Sequence, residues 1–131
     1  MLTIRSHQLG VFEEAQAQHF LLHLMAHVRT HFPEEVGVLD DALLRARIEQ
    51  GVRQGHALGL VTRRDLSRFI NLLVASDWEF ARAPEHAWMK DYLEDPGVSS
   101  PSVRLERLVQ EFIRRGELEA RNAVLREEFG Q

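Results

Sequence analysis

The stretch "TRRDLSRFINLLV", residues 62–74, decides the fold class of this chain. Thr62 followed three residues later by Asp65 is a variant of the capping box, in which side-chain oxygens take up the N–H groups that a helix start leaves without partners. Behind that cap, Leu66, Phe69, Ile70, Leu73 and Val74 recur at i, i+3, i+4, i+7 and i+8. That is the apolar stripe of a helix with one face in a core. A strand would alternate with period two, and this stretch does not.

The same signals extend outward in both directions. Upstream, Asp40 or Asp41 is placed to cap a helix through "DALLRARIEQGVRQGHAL", which Gly59 closes as a left-handed residue. Before it, a helix is expected from about Ser6 to Thr30, ending near Pro33. Downstream, residues 76–84 read as a loop or turn, "EHAWMKDYLED" as a short helix, and "DPGVSSP" as a loop built from helix breakers. Ser100 can cap the last helix, with Pro101 at its first position, where the missing N–H costs nothing. Leu105, Leu108, Val109, Phe112 and Ile113 form a second stripe. Gly116 is expected to interrupt it, leaving 117–131 as a separate exposed helix. With no alternating strand, repeat or low-complexity tract, the expectation is all-α: a single compact domain over 1–131 with about five or six helices. Leu24, Val28, Phe69, Ile70, Leu73, Leu108 and Phe112 are its expected core.

Composition narrows the function classes. At 131 residues the chain is long enough for one core that needs no staple. The absence of cysteine removes thiol catalysis, cysteine-based zinc sites and disulfides together. The opening "MLTIRSHQLGVFEEAQ" lacks the apolar stretch of a signal peptide, and no run approaches a membrane span. A cytoplasmic protein without membrane contact is therefore expected. The formal charge of −4 is spread along the chain rather than polarised. This is not the basic balance of a nucleic-acid binder.

One histidine pattern raises the question of a metal. In "HFLLHLMAHVRTHF", residues 19–32, His19, His23, His27 and His31 stand four apart. Each step of four advances about 40° around a helix, so the ladder slants from the wet side toward the margin of the apolar face. That is poor geometry for one four-ligand site. A pair at i, i+4 can chelate zinc or nickel, but a third ligand is wanted and the H-E-x-x-H arrangement is absent. The slant favours a structural or solvated edge, with adventitious metal binding and a pH-responsive contact as alternatives. No metal and no other cofactor is expected.

Two further patterns bear on function. "GVRQGHALGLVTRRDLSRFINLL", 51–73, invites a helix-turn-helix reading, with Arg63, Arg64 and Arg68 on the second helix. The apolar register and net negative charge favour a plain helical hairpin instead, and no nucleic-acid partner is expected. Nucleophile elbows, phosphate-cradling glycine loops and Ser/His/Asp signatures are missing, so the chain is read as a non-enzyme. The aromatic segment "SDWEFARAPEHAWMKDY" gathers Trp78, Phe80, Trp88 and Tyr92, including both tryptophans and the single tyrosine. Amphipathic aromatics are enriched at binding hot spots, and these four are the candidate partner-binding residues. Anchoring of the loop to the core is the competing reading.

The stretch "HALGLVTRRDLSRFINLLVASDWEFARAPEHAWMKDYLEDP" resembles a region of small all-helical proteins encoded beside VgrG, PAAR and toxin genes of bacterial type VI secretion systems. The landmarks are Gly59, Leu60, Val61, Asp65, Phe69, Ile70, Leu72, Trp78 to Phe80, Trp88, Leu93, Asp95 and Pro96. "HVRTHFPEE" also looks like that group's "HLRxxFP" stretch, so the similarity spans roughly residues 20–110. The loop "SDWEFARAP" departs from the group's "GPDFDxDP" type, and His86-Ala87 stands where a proline is expected before Trp88. The resemblance implies a bacterial cytoplasmic accessory: an adaptor or co-chaperone that binds a secretion effector, a toxin or a larger chaperone. An immunity protein that blocks a cognate toxin is the alternative. A metal-binding enzyme and a helix-turn-helix regulator are the remaining readings.

Overall fold

The computed structural model describes residues 14–78 and 84–128. Among these residues six helices follow one another: α1 (Glu14–His31), α2 (Pro33–Val36), α3 (Asp41–Ala57), α4 (Arg63–Ala75), α5 (Trp88–Leu93) and α6 (Pro101–Glu128), with a 3-10 turn at Pro84–His86. No strand occurs among the described residues. The fold is all-α.

The helix starts follow the capping chemistry. The Asp40 carboxylate accepts from the Leu43 N–H at 2.8 Å, Thr62 Oγ1 from the Asp65 N–H at 3.1 Å, and Ser100 Oγ from the Val103 N–H at 3.3 Å. Each such cap contributes about 1 kcal/mol. Two helices end in the same way. After α3, Gly59 sits at φ 91°, and the Leu60 N–H reaches back to the Gly55 carbonyl at 2.9 Å. After α4, Asp77 takes the left-handed position at φ 58°, and the Trp78 N–H reaches the Leu73 carbonyl at 2.6 Å. Both are Schellman ends, which satisfy the orphan carbonyls of the last turn. Arg29 closes the connection around α2 by donating to the carbonyls of Val36 and Leu39 and to Asp41.

The core forms where α3 and α4 pack as a hairpin against α1. Close approach depends on Gly51 and Gly55 of α3. A β-carbon at Gly51 would stand 2.6 Å from Ile70 Cδ1 and 2.7 Å from Leu73 Cδ1, and one at Gly55 would stand 3.0 Å from Leu66 Cδ2. Phe69 fills the centre without solvent exposure, among Leu21, Leu24, Leu44, Ile48, Leu66 and Ile70. Met89 and Leu93 bring α5 into the same core, and Leu105 and Leu108 bring in α6. An Arg68–Glu106 ion pair at 2.6 Å ties α6 to α4. It holds the Glu106 carboxyl below the ordinary carboxylate range, chiefly through the Arg68 hydrogen bond.

Two expectations are corrected. Gly116 does not interrupt the last helix: α6 runs through it for 28 residues, because a β-carbon there would meet nothing within 4 Å and the flanking residues are good helix formers. Phe112 is half-buried at the edge of the core rather than inside it. The expected start of α1 near Ser6 lies outside the described residues. Among those described, no helix is long and apolar enough to cross a membrane.

Candidate functional site

The described aromatics of the segment fall at two places, Trp78 at the end of α4 and Trp88 with Tyr92 on α5, and all three pack against the core. Trp78 follows the Schellman end of α4 in a left-handed conformation, φ 62°, which is unusual for a bulky residue. Its half-buried ring packs on the core, with the Arg47 guanidinium of α3 at 5.7 Å from the ring centre. Its indole N–H is buried without a hydrogen-bond partner among the described residues. Phe80 lies outside the described residues.

Trp88 and Tyr92 come together one helical turn apart on α5. Their rings meet edge to face at 5.7 Å, and the Trp88 N–H donates to the Glu85 carbonyl at 3.1 Å. Both are half-buried and pack against the edge of the core, as Trp78 does. The Arg115 guanidinium of α6 lies 3.9 Å above the Trp88 ring, a cation–π contact that contributes about 0.5–1 kcal/mol at a partly exposed site. Arg115 is itself oriented by Glu111, one turn earlier, through a 2.8 Å bond. Glu111 also receives two bonds from Arg114, at 2.9 and 2.5 Å. These hydrogen bonds, Arg114 first and Arg115 second, hold the Glu111 carboxyl down at about 2, and the same contact raises Arg114.

Beyond this cluster the C-terminal half of α6 leaves the body. Every residue from Ile113 to Glu127 is exposed, a length of about 22 Å at 1.5 Å per residue. Ile113, Leu118, Val124 and Leu125 are all more than two-fifths exposed. Sequence reasoning does not single out Arg115. Its i, i+3, i+4 relation to Glu111 with Arg114 is a readable helix-pair signal, whereas its contact with Trp88 joins residues far apart in the chain.

The histidine ladder follows its expected slant as far as His27, and His31, at the end of α1, is exposed rather than at the apolar margin. His19, His23 and His31 are exposed and His27 is half-buried, with His27 Nε2 hydrogen-bonded to Asn71 Oδ1 at 3.0 Å. The His27 and His31 rings lie 4.6 Å apart and tilted. Among the described residues, no group of three or more His, Asp or Glu is arranged to hold a metal ion. The aromatic cluster has a flat apolar face, a guanidinium and an exposed helix beside it. Compared with protein-family models, with curated proteins and with solved structures, the chain matches none of them.

Proposed function

We propose that this chain is a non-catalytic protein-binding module that docks through the Arg115–Trp88–Tyr92 cluster and the projecting half of α6. The observation that carries this reading is the uncovered run of α6 from Ile113, with four large apolar side chains in water and an aromatic–guanidinium cluster at its root. Aromatic and arginine side chains dominate binding energy where a partner excludes water. The resemblance to helical accessories of type VI secretion clusters makes the partner a secretion effector or its chaperone, and the chain a cytoplasmic adaptor or co-chaperone.

The test is co-purification of the full chain with the products of its neighbouring genes, for the native sequence and for Trp88→Ala and Leu118→Glu. The expected result is recovery of an effector or chaperone by the native chain. Each variant should weaken it about thirtyfold, the loss of ~2 kcal/mol typical of a hot spot, at a cost in fold stability below about 1 kcal/mol. Recovery of a toxin domain whose activity is abolished assigns the immunity role instead. Full binding by both variants refutes the surface.

A further inference from the structure

A second site lies away from that surface, where α1 faces the first turn of α4. His19, Phe20 and His23 of α1 and Arg63, Arg64 and Ser67 of α4 line a cleft of about 310 Å³. Its size is at the lower end of small-molecule sites. Among the described residues the lining carries two guanidiniums, two imidazoles and a hydroxyl, and no carboxylate. On a chain of formal charge −4 this concentration runs against the overall balance.

Phe20 and Glu106 are among the described neighbours of the two arginines. The Arg63 guanidinium stands 5.8 Å from the Phe20 ring centre, which leans it on an apolar floor. Arg64 acts on Glu106 through charge, while Arg68 engages Glu106 directly at 2.6 Å. The acid is thus matched chiefly by a third arginine. A cation is the wrong occupant: the His19–His23 pair could chelate a metal, but two permanent positive charges beside it oppose that. Guanidiniums instead match the oxygens of a phosphate in a two-pronged fashion, and imidazole N–H and serine hydroxyl groups add donors. The cleft's volume leaves room for a phosphate with a small organic body and not for a polymer.

We propose that this cleft binds the phosphate group of a small soluble phosphate ester, with Arg63 and Arg64 as the principal ligands and His19, His23 and Ser67 as further donors. The site is independent of the α5–α6 surface, so either reading stands if the other fails. The test titrates the full chain with inorganic phosphate and with ribose 5-phosphate at fixed ionic strength and pH, followed by NMR of backbone amides and arginine side-chain N–H groups. Saturable shifts confined to residues 19–23 and 62–67 are expected. Arg64→Glu and the double variant His19→Gln/His23→Gln should each weaken binding at least tenfold. All three positions are exposed, so the spectra should otherwise stay native. Arg53→Gln, an exposed arginine on α3, should bind as the native chain does, and so should Trp88→Ala. Shifts that fail to saturate, that spread over all arginines, or that persist in both cleft variants overturn the proposal. So does binding to phosphatidylcholine vesicles containing phosphatidic acid with no response to either soluble phosphate.

Discussion

The two halves of α6 make the sharpest comparison in the molecule. From Pro101 to Phe112 the helix sets Leu105 and Leu108 fully inside the core, with Val109 and Phe112 packed against it. From Ile113 onward the same rotational face carries Gly116, Glu119, Ala120 and Ala123, and every residue to Glu127 is exposed. One helix therefore obeys two rules. The first half is held by burial, which supplies most of a helix's stability inside a folded protein. The second must be held by intrinsic propensity and by pairs such as Glu111 with Arg114 and Arg115. The difference teaches that helix continuity and helix packing are separate questions, and that the projecting half is available for contact because nothing large and apolar on its inner face demands cover.

Substitutions in the buried body should have the largest effects. Phe69 has no solvent exposure and sits among α1, α3 and α4 side chains, so Phe69→Ala is expected to cost about 3–5 kcal/mol. Chemical denaturation measures it, and a loss under ~1 kcal/mol would mean that the centre of the core lies elsewhere. The paired tryptophans follow. Trp78, packed on the core beneath Arg47, should lose at least about 2 kcal/mol on truncation to alanine. Trp88→Ala should lose less than about 1 kcal/mol of stability, since its removal forfeits a partly exposed stack. Equal losses would collapse the distinction between an anchor and a recognition surface.

Most of the fold is legible in the sequence because its signals are local. Asp40, Thr62, Ser100 and Gly59 act within four residues of themselves, and each performs the cap or stop that its position implies. Stripes such as Leu66, Phe69, Ile70 and Leu73 need only helical spacing to be read. Gly116 misleads for the opposite reason. A glycine in a helix costs about 1 kcal/mol, and whether it breaks the helix depends on whether good helix formers and side-chain pairs on either side outweigh that cost. The site is legible only in part. Trp88 and Tyr92 stand out by composition, but Arg115 over Trp88 and Arg47 over Trp78 are contacts across the fold. The α1–α4 cleft is hidden in the same way. His19 and His23 read as one helix edge and Arg63 and Arg64 as another, and only tertiary packing brings them face to face.

Two glycines turn the comparison into a measurement of opposite signs. At Gly51 an added methyl would crowd the Ile70 and Leu73 methyl groups at 2.6 and 2.7 Å. Overpacking of this kind costs ~1–3 kcal/mol, and the gain in helix propensity of about 1 kcal/mol offsets only part of it. Gly51→Ala should therefore destabilise by about 1 kcal/mol. At Gly116 the methyl would meet nothing within 4 Å, so Gly116→Ala should stabilise by up to about 1 kcal/mol. Denaturant midpoints at constant slope decide it. A destabilised Gly116→Ala would mean that α6 bends or packs at that point.

The smallest expected effect is a proton. Glu111 sits at the junction of the two halves of α6, where Arg114 and Arg115 hold its carboxyl at about 2, below the ordinary value of 4.5. A group whose folded pKa is depressed stabilises the fold above its unfolded pKa and loses that contribution as pH falls through the folded one. The Glu111 pairs are therefore fully formed at neutral pH and weaken between about pH 4.5 and 2. Two observables follow. The Glu111 side-chain carboxyl resonance should titrate with its midpoint near 2, and Glu111→Gln should melt slightly below the native chain at pH 7, the gap narrowing as pH falls toward 2. Because Arg115 bridges Glu111 and the Trp88 ring, the indole fluorescence should change in the same acid window, and the variant should show no such change. A Glu111 midpoint at the ordinary carboxylate value would show that the arginines do not hold it in solution. The projecting half of α6 would then rest on propensity alone, and Arg115 would owe its place over Trp88 to the ring itself.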